Sequence, residues 1–226
     1  MPRDERRRQS ALQKKAAKRK AKHRGSALVR PASLPKLPHE AARWPLFECL
    51  MSHDWKDPHS LVQIIVARRS PADEVAAAVF LVDLGCLGVK SAVAHMFDST
   101  SAYEHGLRTR IQETQRLDRT DLNLAAKVIR EGLVYARGLG FKPDPDYYTA
   151  ATLLQDADPD GVRTSVPLGL NGKPYFFAGP YDNAPRILAQ LTRAVGAGNF
   201  DFTVFTDELP FQLDDLDDGD EDFDAE

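Results

Sequence analysis

Apolar residues are concentrated in the centre of the chain and are nearly missing from its ends. The first 25 or so residues are mainly Lys, Arg, Ala and Gln, and such a segment buries too little apolar surface to offset the entropy cost of ordering it. Prolines then punctuate a linker that ends near residue 38. We therefore predict three parts: a disordered basic tail with its linker over residues 1–38, one folded domain over residues 39–206, and a disordered acidic tail over residues 207–226.

The apolar pattern between residues 61 and 84 predicts a β-hairpin. Residues 61–67 and 75–84 are apolar runs rich in β-branched residues, and the turn signal Ser-Pro-Ala-Asp at residues 70–73 separates them. Before this hairpin, Pro45 suits the first turn of a helix that runs through Leu46, Phe47, Leu50 and Met51. After it, Gly85 and Gly88 break the pattern, and residues 91–97 are compatible with a short helix.

Further helices are predicted where a capping residue precedes apolar residues at helical spacing. Ser101 is expected to cap a helix through Leu107, Ile111 and Leu117. Three more such starts are Asp121, the pair Asp144-Pro145, and Asn183.

The clearest local signal is a second hairpin. The dipeptide Asn171-Gly172, which type I′ turns prefer, lies between the short apolar runs 166–170 and 173–177, and residues 200–205 alternate as a final strand. The predicted fold class is therefore α+β: an antiparallel sheet built from two hairpins plus a final strand, packed with four or five helices.

Charge is strongly segregated along the chain, although the net charge is only −3. Residues 1–36 carry thirteen Lys and Arg against two acids, a net +11, and residues 207–226 carry eleven acids and no Lys or Arg, a net −11. A flexible segment of such positive density binds polyanions by counterion release. The residues expected to do so are Arg6, Arg7, Arg8, Lys14, Lys15, Lys18, Arg19, Lys20, Lys22 and Arg24.

The basic tail has no aromatic residue, so we expect it to contact backbone phosphate without reading sequence. The acidic tail is expected to contact the basic tail in cis, or to bind basic proteins. No run has the length of a membrane-spanning helix, and the charged N-terminus does not read as a secretory signal. We therefore expect a cytoplasmic protein with no membrane partner.

Two segments resemble a bacterial protein family of unassigned function. One runs Val82-Asp83-Leu84-Gly85-Cys86-Leu87-Gly88-Val89-Lys90; the other contains Gly169-Leu170-Asn171-Gly172-Lys173-Pro174 and leads to Gly179-Pro180-Tyr181-Asp182. The resemblance covers roughly residues 44–205 and leaves out both tails. It implies a shared fold and carries over no functional residue.

Candidate catalytic residues are concentrated around the first of these segments: Asp83, Cys86, Lys90, His95 and Asp98. A carboxylate, a thiol and an imidazole would converge there if the glycines fold the chain back, although the leucines beside Cys86 argue for a buried thiol. The same segment is not a Walker phosphate loop, because its glycines are separated by two residues rather than four.

Other polar groups are expected to be structural. Asp182 and Asn183 are expected to cap a helix N-terminus rather than leave it open to an anion. The spacing of His53, Asp54, Asp57 and His59 does not indicate a metal site, and Cys49 and Cys86 form no metal-binding pair. We expect no cofactor.

The resulting hypothesis is a nucleic-acid- or ribosome-associated accessory protein that binds RNA or another polyanion through its basic tail. Two alternatives stay open. One is an enzyme of hydrolase or nuclease type with a site between Asp83 and Asp98. The other is a protein-interaction or chaperone-like module that uses the acidic tail.

Overall fold

The structure is a computed structural model, which describes residue 37 and residues 40–204; the predictions made for the two charged tails lie outside these residues. In the described part, the strands are β1 (Leu46–Ser52), β2 (Val62–Arg69), β3 (Val75–Asp83), β4 (Gly88–Phe97), β5 (Leu117–Arg119), β6 (Tyr175–Phe177) and β7 (Asp201–Thr203). The helical segments are α1 (Thr100–Tyr103, a π-helical stretch Glu104–Arg108, then Thr109–Gln112), α2 (Leu122–Gly138), α3 (Tyr147–Ala150 with a 3₁₀ extension Ala151–Leu154) and α4 (Ala184–Val195). Two short 3₁₀ turns lie at Ala41–Arg43 and Pro159–Gly161.

Five strands form one antiparallel sheet in the order β4-β3-β2-β1-β5. The predicted hairpin between β2 and β3 is confirmed, because the two strands pair from Arg69 opposite Val75 to Val62 opposite Val82. Together with the four helical segments, this sheet confirms the α+β class within the described residues.

Two segments predicted to be helical are strands. Residues 46–52 form β1, which lies between β2 and β5 and is buried from Glu48 to Ser52. Periodicity does not distinguish such a short, largely apolar segment from a buried helix. Residues 91–97 belong to β4, which pairs with β3 along its length. Tertiary pairing overrides local helix preference in this small-residue segment.

The second hairpin is only partly as predicted. Asn171 and Gly172 both have positive φ, 52° and 78°, as a type I′ turn requires, and Leu170 and Lys173 form a single antiparallel bridge. No longer ladder forms there: β6 instead pairs in parallel with β7, in a separate two-stranded sheet. The prediction that the final strand belongs to the antiparallel sheet is therefore wrong.

The helix starts at Asp121 and Asn183 are confirmed by their caps. The Asp121 carboxylate accepts hydrogen bonds from the amides of Asn123 and Leu124, and the Asn183 side chain accepts one from Arg186. By contrast, α1 is capped by Ser99 rather than Ser101.

Leu117 lies in β5 and not on the helix predicted from Ser101. The pair Asp144-Pro145 does precede a helix, but α3 begins at Tyr147 and tightens into a 3₁₀ turn after Ala150.

The antiparallel sheet has a hydrophobic core on each face. One face packs against α2 and α3 through residues such as Phe80, Val128 and Leu153, and the other packs against α1 through residues such as Ile65 and Tyr103. A third, smaller cluster joins α4 and β6 to the turn that follows β3.

Arg68 is a buried charge that ties the sheet to the segments on either side of it in the chain. Its side chain is 2% exposed and donates hydrogen bonds to the carbonyl oxygens of Trp44 (2.8 Å) and Leu153 (2.9 Å), and it forms an ion pair with Asp156. A buried guanidinium is tolerated only when its donors are satisfied in this way.

We expect Arg68→Met to lower the free energy of unfolding by about 2–4 kcal/mol, because two carbonyl groups lose their donors in a buried place. Urea unfolding followed by circular dichroism measures the change. Arg193→Met, at an exposed position on α4, is the control and should leave the unfolding midpoint unchanged. Equal midpoints for the two variants would contradict a structural role of Arg68.

Candidate functional site

The turn between β3 and β4 contains the first group of candidate residues. Asp83 ends β3 and is 4% exposed, and its Oδ1 accepts hydrogen bonds from the amides of Cys86 (2.9 Å) and Leu87 (3.4 Å). Burial raises the pKa of Asp83, while the hydrogen bond from the Cys86 amide and the charge of Lys90 oppose this rise. Asp83 therefore organises the turn from the inside.

The two segments that carry the family resemblance lie against each other. The amide of Gly169 donates to the carbonyl oxygen of Leu84 (2.9 Å), and the amide of Tyr175 donates to that of Gly85 (3.0 Å). A Cβ atom at Gly85 would overlap the carbonyl oxygen of Tyr175, so this approach requires glycine. Residues far apart in the chain thus form one local structure.

An ion pair between Lys90 and Asp182 links the two segments a second time. Lys90 lies at the register shift between β3 and β4, and its Nζ is 2.7 Å from Oδ2 of Asp182, with both side chains largely buried. The same carboxylate oxygen accepts the amide of Gly179 at 2.7 Å. Lys90 is therefore engaged in an ion pair inside the protein.

This arrangement has no phosphate-binding cradle in the β3–β4 turn. The turn amides that would have to face a phosphate, those of Cys86 and Leu87, are instead bonded to Asp83. At the start of α4, Asn183 caps the helix as predicted, whereas Asp182 accepts from Lys90 and from the Gly179 amide rather than from a helix amide.

The thiol of Cys86 is placed for packing rather than for nucleophilic chemistry. The Cys86 side chain is fully buried beside Leu139, Phe176 and Leu191, and this burial raises its pKa. Burial also raises the pKa of Cys49, to about 12. A nucleophilic cysteine needs a lowered pKa and access to a substrate.

His95 and Asp98 do not join Asp83 and Cys86. In the β3–β4 ladder, His95 lies opposite Ala77, whereas Asp83 lies opposite Gly88. Six residues of β3 separate these two levels, which is roughly 20 Å at the rise of an extended strand. His95 packs against the ring of Phe97, and Asp98 is exposed beyond the end of β4. The glycines thus do not bring the five candidates together.

The His and Asp residues before β2 have separate partners. The Asp54 carboxylate accepts from Ser60, the Asp57 carboxylate accepts from the amide of His59, and His53 pairs with Asp118. Nδ1 of His59 lies 3.1 Å from the hydroxyl of Tyr175. Among the described residues, no group of three or more His, Cys, Asp or Glu side chains is placed to hold a metal ion.

A buried carboxylate network on β1 was missed by sequence reasoning. Glu48 is 3% exposed; its Oε1 accepts the hydroxyl of Tyr103 at 2.6 Å, and its Oε2 lies 3.5 Å from guanidinium nitrogens of Arg108 and Arg119. Burial raises the pKa of Tyr103, and the hydrogen bond to Glu48 adds to the rise. The segment around Glu48 was predicted to be helical, and its pairing as a strand brings Glu48 to Tyr103, Arg108 and Arg119.

Comparison with protein-family models, with curated proteins and with solved structures finds no match to this chain. The predicted polyanion-binding residues between Arg6 and Arg24 lie outside the described residues. Within the part of the chain that the structure describes, every helix is too short or too polar to cross a membrane.

The buried position of Asp83 leads to a pH-dependent prediction. Its pKa is raised on folding, so the native state holds this proton more tightly than the unfolded state does. The stabilisation is complete below the unfolded pKa of about 4 and is lost as the pH rises through the native pKa. We therefore expect Asp83→Asn to gain stability relative to the wild type as the pH rises above about 4, at up to ~1.4 kcal/mol per pH unit.

Urea unfolding of both proteins between pH 4 and pH 7 measures this difference. Asp98→Asn changes an exposed carboxylate beyond the other end of β3 and β4 and is the matched control, expected to follow the wild type. A difference between Asp83→Asn and the wild type that stays constant with pH would contradict the prediction.

Proposed function

We propose that the protein is a cytoplasmic nucleic-acid- or ribosome-associated accessory protein that binds polyanions through residues 1–36. One observation carries the proposal: this segment holds thirteen Lys and Arg against two acids, whereas residues 37–206 hold seventeen against twenty. The attraction to a polyanion therefore comes from the N-terminal segment and not from the net charge of the domain.

The physical basis is counterion release. Each phosphate that a Lys or Arg neutralises frees condensed counterions, so the affinity depends steeply on salt and little on sequence. RNA supplies phosphates at the required density, both as single strands and as folded RNA within a ribosome. The proposed role of the segment is affinity, with any preference for one nucleic acid left to the folded domain.

The arrangement of the candidate catalytic residues favours binding over reaction. Asp83 organises a turn, Lys90 pairs with Asp182, and Cys86 is enclosed in a core cluster. These contacts account for three of the five residues that had suggested an enzyme, and His95 and Asp98 lie apart from them. The support for a binding protein is thus the combination of a strongly basic segment with a domain in which these five residues do not converge.

The first test compares two variants with the same change in net charge. One replaces three cations of the basic segment with Gln (Lys18, Arg19 and Lys20), and the other replaces three exposed cations of the domain (Lys56, Arg163 and Arg193). Affinity for a labelled 20-nucleotide RNA is measured by fluorescence anisotropy at several salt concentrations. We expect the first variant alone to flatten the plot of log K against log salt, by about 2 in slope.

Neutralising all ten predicted phosphate-binding residues should lower the affinity at low salt at least about 100-fold. Circular dichroism of each variant checks that the fold is retained. Unchanged RNA binding by the ten-residue variant, or equal effects of the two triple variants, would overturn the proposal.

A second test concerns the acidic segment, which we propose competes with nucleic acid for the basic one. Its eleven carboxylates nearly match the positive charge in number, and attraction between exposed charges is screened by salt. Deleting residues 207–226 should raise the affinity for RNA at low ionic strength and have little effect near 1 M salt, where the Debye length is about 3 Å.

A variant in which the eleven acids become Asn and Gln keeps the length of the segment and should behave like the deletion. If neither variant changes RNA affinity at low salt, competition by the acidic segment is excluded. Salt-sensitive capture of basic proteins that requires this segment would then favour the chaperone-like alternative.

A further inference from the structure

A cleft of about 450 Å³ lies where β1 begins and β2 ends, at the opposite end of the sheet from the turn at Gly85. Its volume falls within the range of about 300–1,000 Å³ that is typical of small-ligand sites. The residues that line it are Pro45, Leu46, Phe47, Arg69, Ser70 and Pro71. None of these residues was a candidate site residue in the sequence analysis.

The cleft contains a preformed cation–π pair. The guanidinium carbon of Arg69 lies 4.7 Å from the centre of the Phe47 ring, and the edge-to-face contact of Phe47 with Tyr103 supports the ring from the core. The amide of Arg69 donates to the carbonyl oxygen of Pro45 at 3.0 Å, which fixes the two strand ends together. Arg69 thus rests on an aromatic ring and is itself exposed to the cleft, as a planar group on which a flat ring can stack.

The remaining lining is mostly apolar. Leu46 is 42% exposed, and Pro45 and Pro71 are exposed beside it. The hydroxyl of Ser70 already accepts hydrogen bonds from the amides of Ala72 and Glu74. One cation flanked by apolar side chains suits a flat ring with apolar faces that is linked to negative charge.

Two acids, Asp73 and Glu74, lie near the cleft, and among the described residues neither forms an ion pair with Arg69. Asp73 is close enough to interact with Arg69, but its carboxylate accepts hydrogen bonds from the hydroxyl (2.6 Å) and the amide (3.2 Å) of Thr100. Glu74 contacts the hydroxyl of Ser70 at 3.3 Å. An acidic peptide fits less well than a stacked base, because each carboxylate beyond one paired with Arg69 would meet the negative charges of Asp73 and Glu74.

We infer that this cleft binds a base of a single-stranded nucleic acid by stacking it on the Arg69 guanidinium. The inference rests on the proposed function and adds what residues 1–36 lack, an aromatic-supported stacking surface.

The test uses the full chain and two labelled RNAs of equal length, a 15-nucleotide oligo(A) strand and a 15-base-pair duplex whose bases are not free to stack on the protein. Arg69→Ala is compared with Arg193→Ala, which removes the same charge from an exposed position on α4. We expect Arg69→Ala to weaken binding of the single strand about ten-fold. Its effect on the duplex, and both effects of Arg193→Ala, should stay within about two-fold, as expected for one phosphate contact or none.

A second pair of variants tests the aromatic support. Phe47→Leu removes the ring but keeps an apolar side chain, and Tyr148→Leu does the same at an exposed aromatic residue on α3. Phe47→Leu should weaken single-strand binding selectively, and Tyr148→Leu should not. Thermal unfolding of each variant identifies any loss of fold. If Phe47→Leu unfolds, the comparison of Arg69→Ala with Arg193→Ala still decides, because both of these positions are exposed.

The outcomes separate this inference from the proposed function. If Arg69→Ala and Arg193→Ala bind the single strand equally well, the stacking site is wrong, while loss of binding on neutralising the basic segment would still support the proposed function. If the wild type binds neither RNA, both are wrong. If an oligo-glutamate peptide binds with the same sensitivity to Arg69→Ala, the cleft is an acidic-peptide site and the nucleic-acid assignment is overturned.

Discussion

The hydrogen bonds that the Asp83 carboxylate accepts from the β3–β4 turn are the constraint on which the packing of the C-terminal part against the sheet depends. The carboxylate holds the amides of the β3–β4 turn, and the carbonyl groups of that turn receive hydrogen bonds from Gly169 and Tyr175. The turn thereby joins the antiparallel sheet to the C-terminal part of the domain. Because Gly85 has no side chain, the two backbones come into direct contact, and the third hydrophobic cluster closes over them.

Among the described residues, three acidic or basic side chains, Glu48, Arg68 and Asp83, are buried, and each has a different kind of partner. Arg68 donates hydrogen bonds to backbone carbonyl groups and to Asp156. Glu48 accepts a hydrogen bond from the Tyr103 hydroxyl and lies near two guanidinium groups. Asp83 accepts hydrogen bonds from backbone amides. A buried charge without such partners would cost several kcal/mol. These contacts determine which segments of the chain pack together. Near Asp83, Lys90 is paired with Asp182 and Cys86 is packed in a hydrophobic cluster.

The proposed function rests on the distribution of charge and on one surface cleft. The segregation of charge favours a polyanionic partner, and the cleft at Arg69 offers stacking that the basic segment does not supply. The two contributions differ physically: phosphate contacts weaken steeply with salt, whereas stacking on a guanidinium supported by an aromatic ring depends on the free faces of the bases.

Features that depend on neighbouring residues were determined by the sequence itself. Asp121 and Asn183 cap their helices, the turn at residues 70–73 joins a hairpin, and Asn171-Gly172 adopts positive φ angles, because each of these depends on a few adjacent residues. Charge segregation is likewise a property of the sequence alone.

Tertiary structure decided the rest. Residues 46–52 and 91–97 became strands because β2 and β3 offered partners for pairing, β6 paired with the distant β7, and the register of β4 separated His95 from Asp83. Pairing and burial between segments far apart in the chain leave little trace in local pattern. The same reason explains why neither the Glu48 network nor the cleft at Arg69 was visible before the strands were placed side by side.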